Sequence, residues 1–238
     1  MVDAKALEVH KRLCQTYNCP FPFFRNADPL TELVGSLLSH RTKNRESGEA
    51  LRALKKSFGE WAEVMSAPTK DVESAISAAT WPEQKAPRIQ GALQFIYKKH
   101  GELSLEFLED LPVDEARSWL EQIPGVGPKT SAAVLSFSTL RMPALPVDSH
   151  HYRVAQRLGL IGDIGPGPAH AVLRAQLPKD WTTQQLYDNH EALMTHGQRC
   201  CFYKNPACER CPVFDLCPFG KKHMSLDTKP QSQRRDRA

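Results

Sequence analysis

Ile123-Pro124-Gly125-Val126-Gly127-Pro128-Lys129-Thr130-Ser131 is the stretch from which the fold is read. It joins two segments of helical periodicity. Before it, Ala116, Leu120 and Ile123 recur at helical spacing. After it, SAAVLSFSTL (131–140) is apolar on most sides, as a central helix is. Gly125 and Gly127 permit a tight turn that leaves backbone N–H groups exposed. Pro128 suits the first helical position, where a missing N–H costs nothing. The unpaired N–H groups of the next helical turn form an anion site. A nucleic-acid phosphate fits there, because backbone donors grip it without reading sequence. Val126 is expected to tuck into the core. By spacing alone, a plain helix–helix connection needs the same two glycines.

Working outward, helices recur and no strand pattern does. Leu30, Leu33, Val34, Leu37 and Leu38 follow the helical rule, with Asp28 as N-cap and Pro29 at the first position. Leu51, Leu54 and Phe58 mark a helix ended by Gly59. Ile89, Leu93, Ile96 and Tyr97 mark one closed near Gly101. Val154 with Leu158, Val172 with Leu173, and Leu186, His190, Leu193 and Met194 mark three more. Roughly ten helices make the fold class all-α.

The 238 residues allow one or two domains, and 41% hydrophobic with 24% charged residues exclude collagenous and wholly disordered classes. No apolar run approaches the ~20 residues of a membrane span. The first residues lack the apolar segment of a secretory signal, so a soluble, intracellular protein is expected. A net charge of +4 and a pI near 8.7 favour a polyanionic partner.

Seven cysteines say more. Six residues separate Cys201 from Cys208, two separate Cys208 from Cys211, and five separate Cys211 from Cys217. Four thiolates in one loop surround one metal centre, in a reduced setting with little use for disulfides. Zinc accepts four sulfurs too. Its structural sites present two short-spaced pairs, whereas only Cys208 and Cys211 make one here, so the spacing favours an iron–sulfur cluster. Cys200 breaks the spacing and is read as a small buried residue. Cys14 and Cys19 are expected to be ordinary buried thiols.

Taken together, Ile-Pro-Gly-Val-Gly-Pro-Lys-Thr (123–130), Pro146-Val147-Asp148-Ser149-His150, Leu37-Leu38-Ser39 and the four-cysteine array resemble the endonuclease III family of helix-hairpin-helix DNA glycosylases. The resemblance runs from about Asp28 to Cys217. It implies a [4Fe–4S] cluster on Cys201, Cys208, Cys211 and Cys217. It implies Lys129 as the nucleophile and Asp148, nineteen residues on, as the essential carboxylate. It also implies that Gly125, Val126, Gly127 and Thr130 meet the DNA backbone.

The chemistry accords with those residue types. A lysine amine attacks C1′ of a nucleoside only when neutral, and an unperturbed lysine has a pKa near ~10.4. The positive end of a helix and burial against DNA both disfavour the added proton. Asp148 accepts the proton and stabilises the cationic sugar; alone it reads equally as a helix N-cap. The lysine implies a bifunctional enzyme, glycosylase plus β-elimination.

Attack on C1′ requires the nucleotide to leave the stack. The family fills the gap from the loop after its first core helix, usually with a glutamine where this chain has Arg41, beside His40. Trp81 stands near a wedge position that is aliphatic in the family. His150 is expected to orient the loop that follows Asp148. Lys204, Arg210, Lys221 and Lys222 are candidate phosphate contacts of the cysteine loop or simply a solvated face. No histidines show zinc-site spacing.

The implied architecture is a six-helix barrel domain at 22–142 carrying the hairpin, and a discontinuous helical domain at 1–21 and 143–220 carrying the cluster. Residues 221–238 form a basic, flexible tail. DNA would lie in the cleft between the domains. The implied function is base-excision repair by a glycosylase and AP lyase that removes oxidised pyrimidines, acting as a monomer on double-stranded DNA with damaged bases or abasic sites. No membrane partner is expected. The location would be the bacterial cytoplasm, at the nucleoid, or a eukaryotic nucleus. The alternatives are a monofunctional mismatch, uracil, thymine or adenine glycosylase, a non-catalytic damaged-DNA-binding module, and a zinc-bound interaction protein.

Overall fold

Asp28, Pro29 and the leucines behind them do what their order demands. In the computed structural model, which describes residues 2–23 and 26–227, Asp28 accepts the N–H of Thr31 at 2.8 Å and starts a helix at Pro29. The described residues form twelve α-helices, and no β-strand occurs among them. In chain order they are α1 (Ala4–Tyr17), α2 (Pro29–Ser39), α3 (Asn44–Phe58), α4 (Trp61–Ser66), α5 (Thr69–Ala75), α6 (Pro82–His100), α7 (Val113–Leu120), α8 (Pro128–Phe137), α9 (Ser149–Leu158), α10 (Pro166–Ala175), α11 (Thr183–Arg199) and α12 (Pro218–Asp227). None is long and apolar enough to cross a membrane.

The chain divides into two compact units. Phe23–Pro146 form one, and the residues up to Pro22 join those from Val147 onward in the other. In the first unit α8 is central, with every residue from Thr130 to Ser136 buried, and it packs on α2 and α7. Leu33, Leu38, Leu54, Ile89, Leu93, Ile96 and Leu120 fill the space around it. Each such side chain contributes about 1.5–3 kcal/mol on burial. Gly59 and Gly101 close α3 and α6 at φ +71° and +88°, as the sequence predicts. α8 stops at Phe137, three residues short of the apolar run, because Arg141 turns back and donates to the carbonyl of Phe137 at 2.9 Å. α4 and α5 escape the periodicity reading: they have six and seven residues, and Pro68 separates them.

In the second unit α9 packs between α11, α10 and α12, and α1 packs on α11. Two expectations are corrected here. Cys14 and Cys19 are not buried thiols; they are half-buried and joined by a disulfide, with Cα atoms 4.8 Å apart. Asn18 caps α1 in the left-handed region at φ +62° and reverses the chain, which returns Cys19 to the last turn. Part of the expected tail is helical. Lys221–Asp227 continue α12, whose first turn is seated where Lys221 N–H donates to Cys217 O at 3.2 Å. Residues 228–238, on which the remainder of the flexible-tail expectation falls, lie outside the described residues.

Candidate functional site

The glycine turn after α7 is built as its composition requires. Gly125 sits at φ +87°, a conformation strained for any residue with a Cβ. Ile123 and Val126 are buried and anchor the turn, and Val126 N–H donates to Ile123 O at 3.0 Å. The Gly127 carbonyl accepts from Thr130 and Ser131 N–H at 2.9 and 3.0 Å and opens α8. The N–H groups of Gly125 and Gly127 make no hydrogen bond among the described residues. A Cβ at either glycine would meet nothing within 4 Å, so the side of the turn toward which a side chain would point is open. Two free donors on such a turn are what a phosphate oxygen needs.

Lys129 occupies the first turn of α8 and is half-buried, so its position is not that of a core residue. Thr130 is buried, and its Oγ1 lies 3.4 Å from Nε2 of His40, which joins the hairpin to the loop after α2. Burial, and then the cations Lys129, Lys85 and Arg88, hold the His40 pKa below its ordinary value. The imidazole is therefore neutral at pH 7 and adds no charge beside Lys129.

The same loop carries Arg41, exposed and at φ +51°. Its guanidinium lies 5.7 Å from the ring centroid of Trp81, itself 43% exposed and at φ +55°. Two residues forty positions apart are thus brought together as a cation–π pair. The groove beside them is lined by His40, Arg41, Trp81, Gln84, Lys85 and Arg88, without an acidic side chain.

In the second unit Asp148 caps α9, its Oδ1 accepting His151 N–H at 2.7 Å. Oδ2 makes no hydrogen bond among the described residues, and the side chain is half-buried. Nδ1 of His150 faces the Arg153 guanidinium at 3.1 Å. Arg153 also donates to the carbonyls of Gly197 (2.8 Å) and Cys201 (3.1 Å). One turn later Arg157 donates to Phe202 O at 2.6 Å, Tyr203 O at 2.9 Å and Cys201 Sγ at 3.3 Å. The helix that Asp148 caps is therefore clamped to the segment that carries Cys201.

Cys201, Cys208, Cys211 and Cys217 line one pocket, walled by Val154, Leu158, Val213 and Phe219. The donor set and its surroundings fit an iron–sulfur cluster. Cys201 Sγ faces a guanidinium, and Cys217 Sγ accepts Gly220 N–H at 3.2 Å, as thiolates bound to a cluster do. A Cβ at Gly220 would meet the Phe214 ring at 3.2 Å and Cys217 Sγ at 3.5 Å, so this approach needs glycine. Burial pushes the thiols of Cys208 and Cys217 up and that of Cys211 to about 12, so these three favour the protonated form unless a metal takes the proton's place. Cys200 shares the pocket and donates to Ala207 O at 3.4 Å, and its Sγ also lies within 4.8 Å of the ligand atoms of His196 and Cys211. Lys204, Arg210, Lys221 and Lys222 are exposed around it.

Sequence reasoning missed Arg153, Arg157, Lys85 and Gly197. The two arginines carried a signal: spaced four apart on the helix after Asp148, they share one face. Lys85 and Gly197 carried none, since their partners are distant in sequence.

Comparison with known proteins accords with this geometry. Residues 204–217 match the iron–sulfur binding domain of endonuclease III. Over 235 residues, 98% of this chain and 100% of the relative, the chain is 27% identical to endonuclease III of Thermotoga maritima. Over 172 residues it is 33% identical to a putative DNA glycosylase of Arabidopsis thaliana, covering 72% of this chain and 57% of that longer protein. Its fold matches that of a trapped endonuclease III–DNA covalent intermediate with a TM-score of 0.78, over 94% of this chain and 99% of that one, at 23% identity.

Proposed function

We propose that this endonuclease III-like chain, with its iron–sulfur binding domain, is a DNA glycosylase of base-excision repair that also cleaves the strand at the resulting abasic site. The observation that carries the reading is Lys129, in the first turn of α8 directly behind the open donors of Gly125 and Gly127. Those donors hold a phosphate of the damaged strand and present the adjoining sugar to the lysine, while Thr130, expected to join them, is buried with its N–H on Gly127 O and its hydroxyl against His40. The neutral amine of Lys129 attacks C1′ and the C1′–N bond breaks, its electron pair leaving with the base, which takes up a proton. Opening of the sugar ring gives a Schiff base between Nζ and C1′. Loss of the C2′ proton and departure of the 3′ phosphate then nick the strand. The sugar passes through a cationic state in the first step and gives up protons in the later ones. Asp148 is the carboxylate we assign to both needs, through its unbonded Oδ2.

Displacing a nucleotide leaves a gap, and Arg41 with Trp81 supplies a cation and an exposed aromatic ring to fill it. The cluster is structural in this reading. It holds the Cys201–Tyr203 segment, and Arg153 and Arg157 transmit that order to α9. Oxidised pyrimidines in duplex DNA are the substrates we propose, by extension of the likeness to endonuclease III.

Borohydride trapping tests the reading. Wild-type protein is expected to form a covalent adduct on duplexes bearing an abasic site or thymine glycol, and Lys129→Gln to form none. An adduct on the abasic duplex alone retains the lyase and moves the lesion elsewhere. No adduct from cluster-bearing protein that binds the duplex overturns the lysine mechanism in favour of a monofunctional glycosylase or a binding module.

A further inference from the structure

Lys85 is 4% exposed, and its ammonium donates to Leu38 O at 2.6 Å and to Thr42 Oγ1 at 2.5 Å. Lysine is almost never this buried unless a carboxylate pairs with it, yet no acidic side chain forms an ion pair with Lys85 among the described residues. Its acceptors are neutral and come from two places. Leu38 O is one of the carbonyls left over at the C-terminus of α2, where the helix is electronegative. Thr42 lies one residue beyond Arg41, and its hydroxyl also accepts the N–H of Thr80 at 3.1 Å. Thr80 immediately precedes Trp81, whose carbonyl accepts Lys85 N–H at 3.2 Å.

One ammonium therefore ties the end of α2, the loop at 40–42 and the approach to α6 into a single knot. The knot lies between the two residues that most need holding. Arg41 and Trp81 both adopt left-handed backbone conformations, which side chains with a Cβ resist. Such conformations persist only where surrounding contacts over-determine them. Burial, followed by the charge of Arg88, lowers the Lys85 pKa, so the ammonium is held there at a cost that its two acceptors offset.

We propose that Lys85 is a positioning residue that holds Arg41 and Trp81 as a preformed pair for the gap left by a displaced nucleotide, an inference that rests on the DNA glycosylase reading above. A preassembled wedge avoids ordering two long side chains at the moment of base displacement. Its action is confined to substrates in which a gap forms, which separates it from a general stabilising role.

The test compares full-length, cluster-bearing wild-type, Lys85→Met, Thr42→Val and Thr42→Ser proteins. Borohydride trapping rates are measured on an abasic site in duplex DNA and on the same strand alone, where no opposite base needs wedging. The duplex-to-single-strand ratio is expected to fall on the order of 10²-fold in Lys85→Met and Thr42→Val. Thr42→Ser keeps the hydroxyl and is expected to retain the ratio. In parallel, 2-aminopurine opposite the abasic site reports insertion: wild type changes its fluorescence, and the two disrupted variants do not. Equal losses on both substrates, or an unchanged ratio, overturn the proposal. Should Lys85→Met fail to fold, Thr42→Val carries the comparison. If wild type forms no adduct on either substrate, the lyase reading is lost. The 2-aminopurine response then decides alone: present in wild type and absent in Thr42→Val upholds the positioning role, and equal in both overturns it.

Discussion

A single methyl group added at Gly197 is expected to disturb the start of α9 and, with it, Asp148. Gly197 lies in α11, and an alanine Cβ there would fall 2.8 Å from His150 Cβ, 3.3 Å from His150 Cα and 3.1 Å from Arg153 Nη2. Carbon atoms in contact sit about 3.5–4.0 Å apart, so the start of α9 must give by more than about half an ångström. The nearest atom is the Cβ of His150, which no rotamer change can move. Alanine in a helix interior is better than glycine by about 1 kcal/mol, whereas overpacking costs about 1–3 kcal/mol. The expected balance is a net loss of about 1 kcal/mol. Urea unfolding of Gly197→Ala measures it. Because His150 is two residues from Asp148, trapping on abasic duplex is expected to fall by about tenfold or more. In a His150→Gly background the Cβ contact is absent, and the alanine is expected to cost at least about 1 kcal/mol less. A Gly197→Ala protein that is stabilised and traps at the wild-type rate would refute the close packing of α9 on α11.

Asp148→Asn keeps a good N-cap, so its stability is expected within about 0.5 kcal/mol of wild type, while adduct formation falls by about 10²–10⁴-fold; equal trapping would leave the carboxylate a cap and nothing more. Cys201→Ala is expected to purify without the visible absorbance of an iron–sulfur cluster, and Cys200→Ala to retain it, because Cys200 bonds as a thiol donor; the reverse result would exchange the two ligands. His151 is fully buried with Nδ1 unpaired, and burial, then His190 and His170, holds its pKa well below the ordinary 6.5. The unfolded chain then binds a proton that the folded one refuses, so this contribution to stability is complete above about pH 6.5 and declines below it toward the depressed folded value, by at most about 1.4 kcal/mol per pH unit. Urea midpoints at about pH 7.5 and about pH 5.5 check this, and a slope no shallower in His151→Asn would exclude His151 as its source.

Local rules made much of the chain legible. Asp28, Gly59, Gly101 and the Gly125–Gly127 turn act within a few residues of themselves, so capping and turn chemistry suffice to read them. The same locality made the cysteine spacing readable as a metal site, since one short loop supplies every thiolate. What stayed hidden depends on where distant segments meet. The Cys14–Cys19 bridge needed the chain reversal at Asn18. The pairing of Arg41 with Trp81, the burial of Lys85 between them and the contact of Gly197 with His150 join residues some forty positions apart. Periodicity tells which face of a helix is buried, and glycine or a cap tells where the helix stops. Neither tells which loop a buried ammonium will find, because that is set by the packing of whole helices, and one polar side chain leaves no periodic trace.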